Sequence, residues 1–230
     1  MTIDSFSYFD KAHPSRMEAG GLYIVAPEPG RDAMGMTSTA LPKSIAGGLL
    51  PLIGLDDGVF EAAVQSRFWR GLLMEPSRGG QLYDAVALAR IKQVQHAVIV
   101  VDSGFEGFSR PHHLASFLAS VPDRTVMLTH GGQLNISGQH LDAARALFEA
   151  YPMTLLETSG IYRQDFLEDC LKALGAERIL YGSGHPKMDE RLEVERVRLL
   201  GRVGGDLDLM LGGNAHRIFD LDAAARGAES

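Results

Sequence analysis

From residue 97 onward, apolar and polar positions fall into regular blocks. Ala97-Val-Ile-Val-Val101 is a short, wholly apolar, β-branched run, which reads as a strand covered on both faces. Helical spacing follows over 110–121. A strand over 125–129 precedes a helix over 139–151 with Leu141, Ala144 and Phe148 on one face. A strand at 153–156, a helix over 162–174 stopped by Gly175, and a strand at 179–181 continue the alternation. Asp189 caps a charged helix reaching about residue 202. Strand and helix in strict alternation imply right-handed crossovers and a parallel sheet.

The first half is patterned less sharply. Residues 2–9 form a strand that is polar for a central position, and 22–25 is a more apolar one. A third strand is expected at 49–55 despite Pro51. Then come a helix at 60–68, a strand at 69–74 and a helix at 83–93. Residues 26–48, with Pro27, Pro29 and Pro42, read as a long loop carrying one short helix. Eight strands result, four before residue 80 and four after. The expected fold is α/β: a single compact (β/α)8 TIM barrel over residues 1–230, somewhat shorter than the typical barrel of about 250 residues.

Composition narrows the function. Apolar residues are 45% and charged residues 22%, an ordinary soluble balance. The net charge of −7 argues against a nucleic-acid footprint. No run reaches a membrane span of roughly 18 apolar residues, and the first residues carry no basic-then-apolar signal, so the expected location is the cytoplasm. Cys170 is the one cysteine; it lies in helical register with Leu167, Leu171 and Leu174 and reads as a buried structural thiol. The expected partner is a small-molecule substrate, without nucleic acid or membrane; assembly into a homo-oligomer is left open.

A barrel of this kind carries its site at the C-terminal ends of the strands. Those ends are Tyr8, Glu75, Asp102, His130, 157–159 and 183–185. Ionisable groups that follow buried strands are costly unless they are paired or solvated in a pocket, which is the reason to expect a site there. The pairs Gly131-Gly132 and Gly212-Gly213 read as backbone turns. Ser183 lacks the flanking pattern of a nucleophile elbow. His112 and His113 open a helix and shape a loop; His216 is read as structural, paired near Asp220; His13, His96 and His140 carry no site signal.

Arg178-Ile-Leu-Tyr-Gly-Ser-Gly-His-Pro186, followed by Gly213-Asn-Ala-His-Arg-Ile-Phe219, resembles the closing signature of the amidohydrolase-related barrel hydrolases. Leu128-Thr-His-Gly-Gly132 resembles the family's G-H-x-G-G, Val98-Ile-Val-Val-Asp-Ser-Gly104 its V-V-V-H-x-G, and Ile3-Asp-Ser-Phe-Ser-Tyr8 its opening I-D-x-H-x-H. By this resemblance only His130 survives of five metal-site residues. Phe6, Tyr8 and Asp102 replace histidines, and Gly184 replaces the aspartate that holds the metal or serves as base.

The resemblance implies an enzyme acting by acid–base chemistry on a small polar or aromatic carbonyl compound, through lactone or amide-type hydrolysis. Asp102, Glu75 and His130 are the catalytic candidates; Tyr8, Ser103, Ser159 and His185 would bind substrate. No cofactor is expected, because zinc wants about four N, O or S ligands. The alternative is a divalent metal displaced onto Glu75, Asp102 and His130. A lyase, decarboxylase, cyclase or isomerase on the same barrel is the alternative chemistry, and a catalytically silent barrel binding a metabolite or partner is the alternative class.

Overall fold

The computed structural model describes residues 1–8, 21–27, 43–76, 82–133 and 139–222. Eight strands lie in one parallel sheet in chain order: β1 Ile3–Tyr8, β2 Leu22–Ala26, β3 Ile45–Pro51, β4 Trp69–Met74, β5 Val98–Val101, β6 Val126–Leu128, β7 Thr154–Glu157 and β8 Ile179–Leu180. The last strand is only two residues long, and the seam back to β1 is made largely by the segment after it. Ser5 N donates to Tyr181 O at 2.9 Å, Gly184 N to Phe6 O at 2.9 Å and Tyr8 N to His185 O at 2.6 Å. The result is a nearly closed (β/α)8 barrel.

Alternation along each strand sorts the core into two shells. Phe6, Leu49, Leu73, Val98, Val100, Met127, Leu155 and Leu180 belong to an inner cluster. Leu50, Leu72, Ile99, Val101, Val126, Leu128 and Leu156 point outward, against the helices. The helices are α1 Asp57–Val64, α2 Ala85–Gln93, α3 Pro111–Ser120, α4 Leu141–Ala150, α5 Gln164–Leu174, α6 Glu190–Gly201 and the short α7 Asn214–Ile218. Ala215 and Phe219 join the inner cluster, and Asn214 Nδ2 donates to Ala176 O and Ile179 O at 2.7 and 2.8 Å. The Gly-Asn-Ala signature thus pins the chain leading into β8, away from the strands' C-terminal ends.

Two arginines repeat one device. Arg124, just before β6, donates to Ile91 O, Val94 O and Ala97 O. Arg178, just before β8, donates to Phe148 O, Tyr151 O and Thr154 O. Each gathers the orphan carbonyls where a helix ends and the chain turns into a strand.

Three expectations are corrected. The third strand is Ile45–Pro51, four residues earlier than 49–55. Gly47 and Gly48 are strand positions that have to be glycine because side chains of β4 and of the residue before it cross them: a Cβ at Gly47 would lie 2.3 Å from Arg70 Cγ, and one at Gly48 2.5 Å from Phe68 Cε1. Pro51 is tolerated as the last strand residue. The first helix starts at Asp57 behind Asp56 and ends at Val64, so residues 66–68 lead into β4 instead of extending the helix. His216 pairs with Asp222 (3.4 Å) rather than near Asp220. The short helix expected within 26–48 lies mostly outside the described residues. Among those described, no helix is long and apolar enough to cross a membrane.

Candidate active site

Strand parity brings the candidates to one end of the barrel. Val98, Val100 and Asp102 share a face, as do Leu155 and Glu157, so both carboxylates turn inward past the last apolar layer. His130 follows β6 in a turn whose backbone is left-handed for three residues in a row: His130 (φ 55°), Gly131 (φ 62°) and Gly132 (φ 65°). The Gly-Gly pair makes that turn, as its composition indicated.

The polar groups there form one continuous chain. Tyr8 OH donates to Asp102 Oδ2 at 2.8 Å. Asp102 Oδ1 accepts from Thr129 Oγ1 at 3.3 Å and lies 3.4 Å from His130 Nε2. On the far side of the imidazole, His130 Nδ1 is 3.1 Å from Ser159 O and 2.9 Å from Ser159 Oγ. Ser159 Oγ donates to Glu157 Oε2 at 2.8 Å, and Ser159 N to Glu157 Oε1 at 2.6 Å. Thr129 also ties in Ser103, whose N donates to Thr129 Oγ1 at 3.0 Å. A carbonyl oxygen only accepts, so Ser159 O places a proton on Nδ1. A carboxylate only accepts as well, so Asp102 places another on Nε2. The ring therefore lies between two acceptors, an arrangement that favours its protonated form.

The titration of these groups agrees. Burial works against a charged His130, but the Asp102 hydrogen bond and charge, then Glu157 and the Ser159 carbonyl, outweigh it and raise its pKa. Burial likewise opposes ionisation of Asp102, and His130, Lys187 and Tyr8 overcome it, so its pKa is lowered. For Glu157 burial wins over His130 and Ser159, and its pKa is raised. Burial, then the Asp102 charge, raises that of Tyr8.

A cavity of about 180 Å³ opens beside this chain, lined among others by Ser103, Phe105, His130, Gly160, Lys187 and Met188. The Lys187 ammonium sits 3.7 Å above the Tyr8 ring. Of the sequence candidates, Ser103 and His130 line this cavity, while Asp102, Tyr8 and Ser159 stand behind it, each buried. Glu75 follows β4 and is 9% exposed; its charge contributes to the raised pKa of Tyr8. His185 instead borders a second cavity of about 600 Å³, formed among the described residues by 185–191. His112 and His113 stack on each other at the start of α3, with ring centroids 4.0 Å apart. Cys170 is free and buried.

The family's metal does not fit this donor set. Phe6 turns a ring edge to His130 at 6.1 Å between centroids, and Tyr8 is committed to Asp102. Gly184 has φ 61°, and a Cβ there would meet Ser159 Cβ at 3.2 Å and Met188 Sδ at 3.3 Å, so an aspartate in its place would be strained and tightly packed. Among the described residues no three His, Cys, Asp or Glu side chains come together as a metal site, so the displaced set Glu75, Asp102 and His130 is not assembled.

Glu157 and Asp4 were given no role by the sequence. Glu157 had a signal, a carboxylate directly after the apolar pair Leu155-Leu156 at a strand end. Asp4 is buried, with Oδ1 accepting from Ser183 N (2.9 Å) and Phe6 N (3.1 Å) and Oδ2 hydrogen-bonded to Ser183 Oγ. It sat unremarked among polar strand residues. Lys187 lies in an exposed loop with no pattern to mark it.

An eight-stranded parallel barrel with its acids and imidazole gathered past the strand ends is the architecture of the barrel hydrolases. The chain belongs to the amidohydrolase family, whose model matches residues 81–221. Solved structures share the fold at low identity. A zinc-bound amidohydrolase from Burkholderia multivorans superposes with a TM-score of 0.72 at 17% identity, covering 96% of this chain and 99% of that one. A putative 2-pyrone-4,6-dicarboxylic acid hydrolase from Pseudomonas putida gives 0.70 at 18%, covering 96% and 98%. A 5-carboxyvanillate decarboxylase from Sphingomonas paucimobilis gives 0.62 at 14%, covering 95% and 98%. No curated protein sequence matches the chain.

Proposed function

We propose that the protein is a hydrolase of small cyclic or aromatic carbonyl compounds, lactones or amides, working by acid–base chemistry on its own side chains. The observation that carries this reading is the His130 imidazole on the cavity wall, with Nδ1 against Ser159 and Nε2 at a long 3.4 Å from Asp102, a setting that favours its protonated form. That long contact leaves the Nε2 proton available to a substrate oxygen. Asp102, buried and triply contacted, holds the positive charge and orients the ring. Glu75 is assigned to take the proton from water. The water oxygen then attacks the carbonyl carbon, the carbon–oxygen or carbon–nitrogen bond breaks, and the leaving atom takes the Nε2 proton. A cavity of about 180 Å³ suits a single ring, since one of roughly 150 Å³ accommodates benzene.

The test is a panel of monocyclic lactones, amides and carboxylated ring compounds, followed by acid release and by carbon dioxide release. His130→Ala and Asp102→Asn are expected to lower hydrolysis by about 100-fold or more with the fold unchanged by circular dichroism. Carbon dioxide in place of ring-opened acid assigns the site to decarboxylation, the activity named for one structural neighbour. Undiminished turnover in both variants would sink the reading.

A further inference from the structure

Glu157 spends its whole carboxylate on two residues. Oε2 accepts from His130 N at 3.1 Å and from Ser159 Oγ at 2.8 Å, while Oε1 accepts from Ser159 N at 2.6 Å. It is fully buried, a costly place for a carboxylate unless its lone pairs are satisfied. The backbone it grips is unusual. His130 is left-handed (φ 55°, ψ 26°), a region that disfavours residues with a Cβ. Room for the carboxylate comes from the segment after β8: a Cβ on Gly182 would lie 2.0 Å from Glu157 Oε1. Three strand ends therefore converge on one arrangement. β6 supplies the imidazole, β7 the carboxylate and hydroxyl, and the segment after β8 the space.

We propose that Glu157 and Ser159 are the positioning residues of His130, Glu157 holding its left-handed backbone and Ser159 its ring, so that Nδ1 stays protonated and Nε2 is the donor left for chemistry. This rests on the acid role given above to His130. Glu157 reaches the ring only through Ser159 and the main chain, and touches no substrate. In Glu157→Gln one of the two oxygens becomes an amide nitrogen that accepts nothing, so either Ser159 N or the pair His130 N and Ser159 Oγ loses its acceptor, and the turn and the Ser159 atoms that face Nδ1 are held less firmly. Gly182→Ala displaces the same carboxylate from behind without deleting any hydrogen-bonding group.

The experiment uses the full chain labelled with ¹⁵N-histidine, reading the His130 ring nitrogens by long-range ¹H–¹⁵N correlation at neutral pH. Wild type is expected to show Nδ1 protonated. Glu157→Gln and Gly182→Ala are expected to show Nδ1 shifted toward the unprotonated position, with circular dichroism unchanged. Turnover of whichever lactone the wild type hydrolyses should fall roughly 100-fold in kcat with little change in KM. If Glu157→Gln fails to fold, Ser159→Ala is read in its place, with a weakened Nδ1 signature supporting the proposal. A wild-type Nδ1 signature in the folded variants overturns it. The ring signal needs no substrate, so a wild type that turns over nothing defeats the hydrolase reading and leaves this result legible.

Discussion

Tyr8 OH donates to Asp102 Oδ2 at 2.8 Å, joining two positions where the family's pattern has histidines. Both replacements make sense together. A phenol is a donor and a carboxylate an acceptor, so the pair satisfies itself where two imidazoles would need a metal to hold them. Removing the phenol oxygen tests this. Tyr8→Phe keeps the ring packed edge-on to Phe6 at 5.2 Å between centroids, but leaves a buried carboxylate one donor short. Such bonds to charged groups contribute about 1.5–3 kcal/mol. Urea denaturation should show a loss in that range, and an unchanged midpoint would mean that the bond does not form in solution.

The same replacement governs metal. Protein equilibrated with zinc and then freed of excess is expected to retain far less than one equivalent by elemental analysis, because Phe6 and Gly184 offer no ligand atoms. Gly184→Asp should not restore a site. At φ 61° any side chain is strained, and the new Cβ presses on Ser159 and Met188. A fall in Tm of several degrees without zinc uptake is expected; tight stoichiometric zinc in either protein would contradict this account.

The barrel was legible wherever strands were wholly apolar, as in Val98–Val101, because burial on both faces leaves a plain mark in the sequence. It was misplaced where that mark is missing. Gly47 and Gly48 look like loop residues, yet they are strand positions flattened by Arg70 and Phe68, a tertiary fact with no local trace. β1 looked too polar because Ser5 and Asp4 serve the seam, bonding Tyr181 O and Ser183. Asp102 and His130 could be found by counting to strand ends. Glu157 was visible in the same way, but its role depends on the left-handed turn at His130, which follows no periodicity.

Arg178 provides a test of the fold alone. Its guanidinium holds the end of α4 and the start of β7 through Phe148 O, Tyr151 O and Thr154 O, with contacts of 2.7–3.1 Å. Arg178→Ala should cost about 2–4 kcal/mol by chemical denaturation, as several charge-assisted bonds are lost at once. Arg178→Lys should recover little, since an ammonium cannot span three carbonyls in one plane.

Stability should fall as pH rises through neutrality. Burial pushes the Asp4 carboxyl from 3.8 up to about 8, and that of Glu193 up to about 7. Both values exceed those of an unfolded chain, so the folded protein holds protons that the unfolded chain has released. The stability linked to these groups is fully present below their unfolded values and is lost as pH climbs through about 7 for Glu193 and about 8 for Asp4. His130, also raised, adds to the loss in the same direction. Asp102 is lowered, so its contribution disappears only as pH falls through its folded value on the acid side. Each retained proton gives a slope of about 1.4 kcal/mol per pH unit. Asp4→Asn keeps an oxygen for Phe6 N and Ser183 N while removing the titration. Its urea midpoint, followed from about pH 5 to about pH 9, should decline less steeply than that of wild type and overtake it at the alkaline end. Parallel curves would show that Asp4 is already ionised in the folded barrel, and the seam between β1 and Ser183 would then be held by a carboxylate rather than by a carboxylic acid.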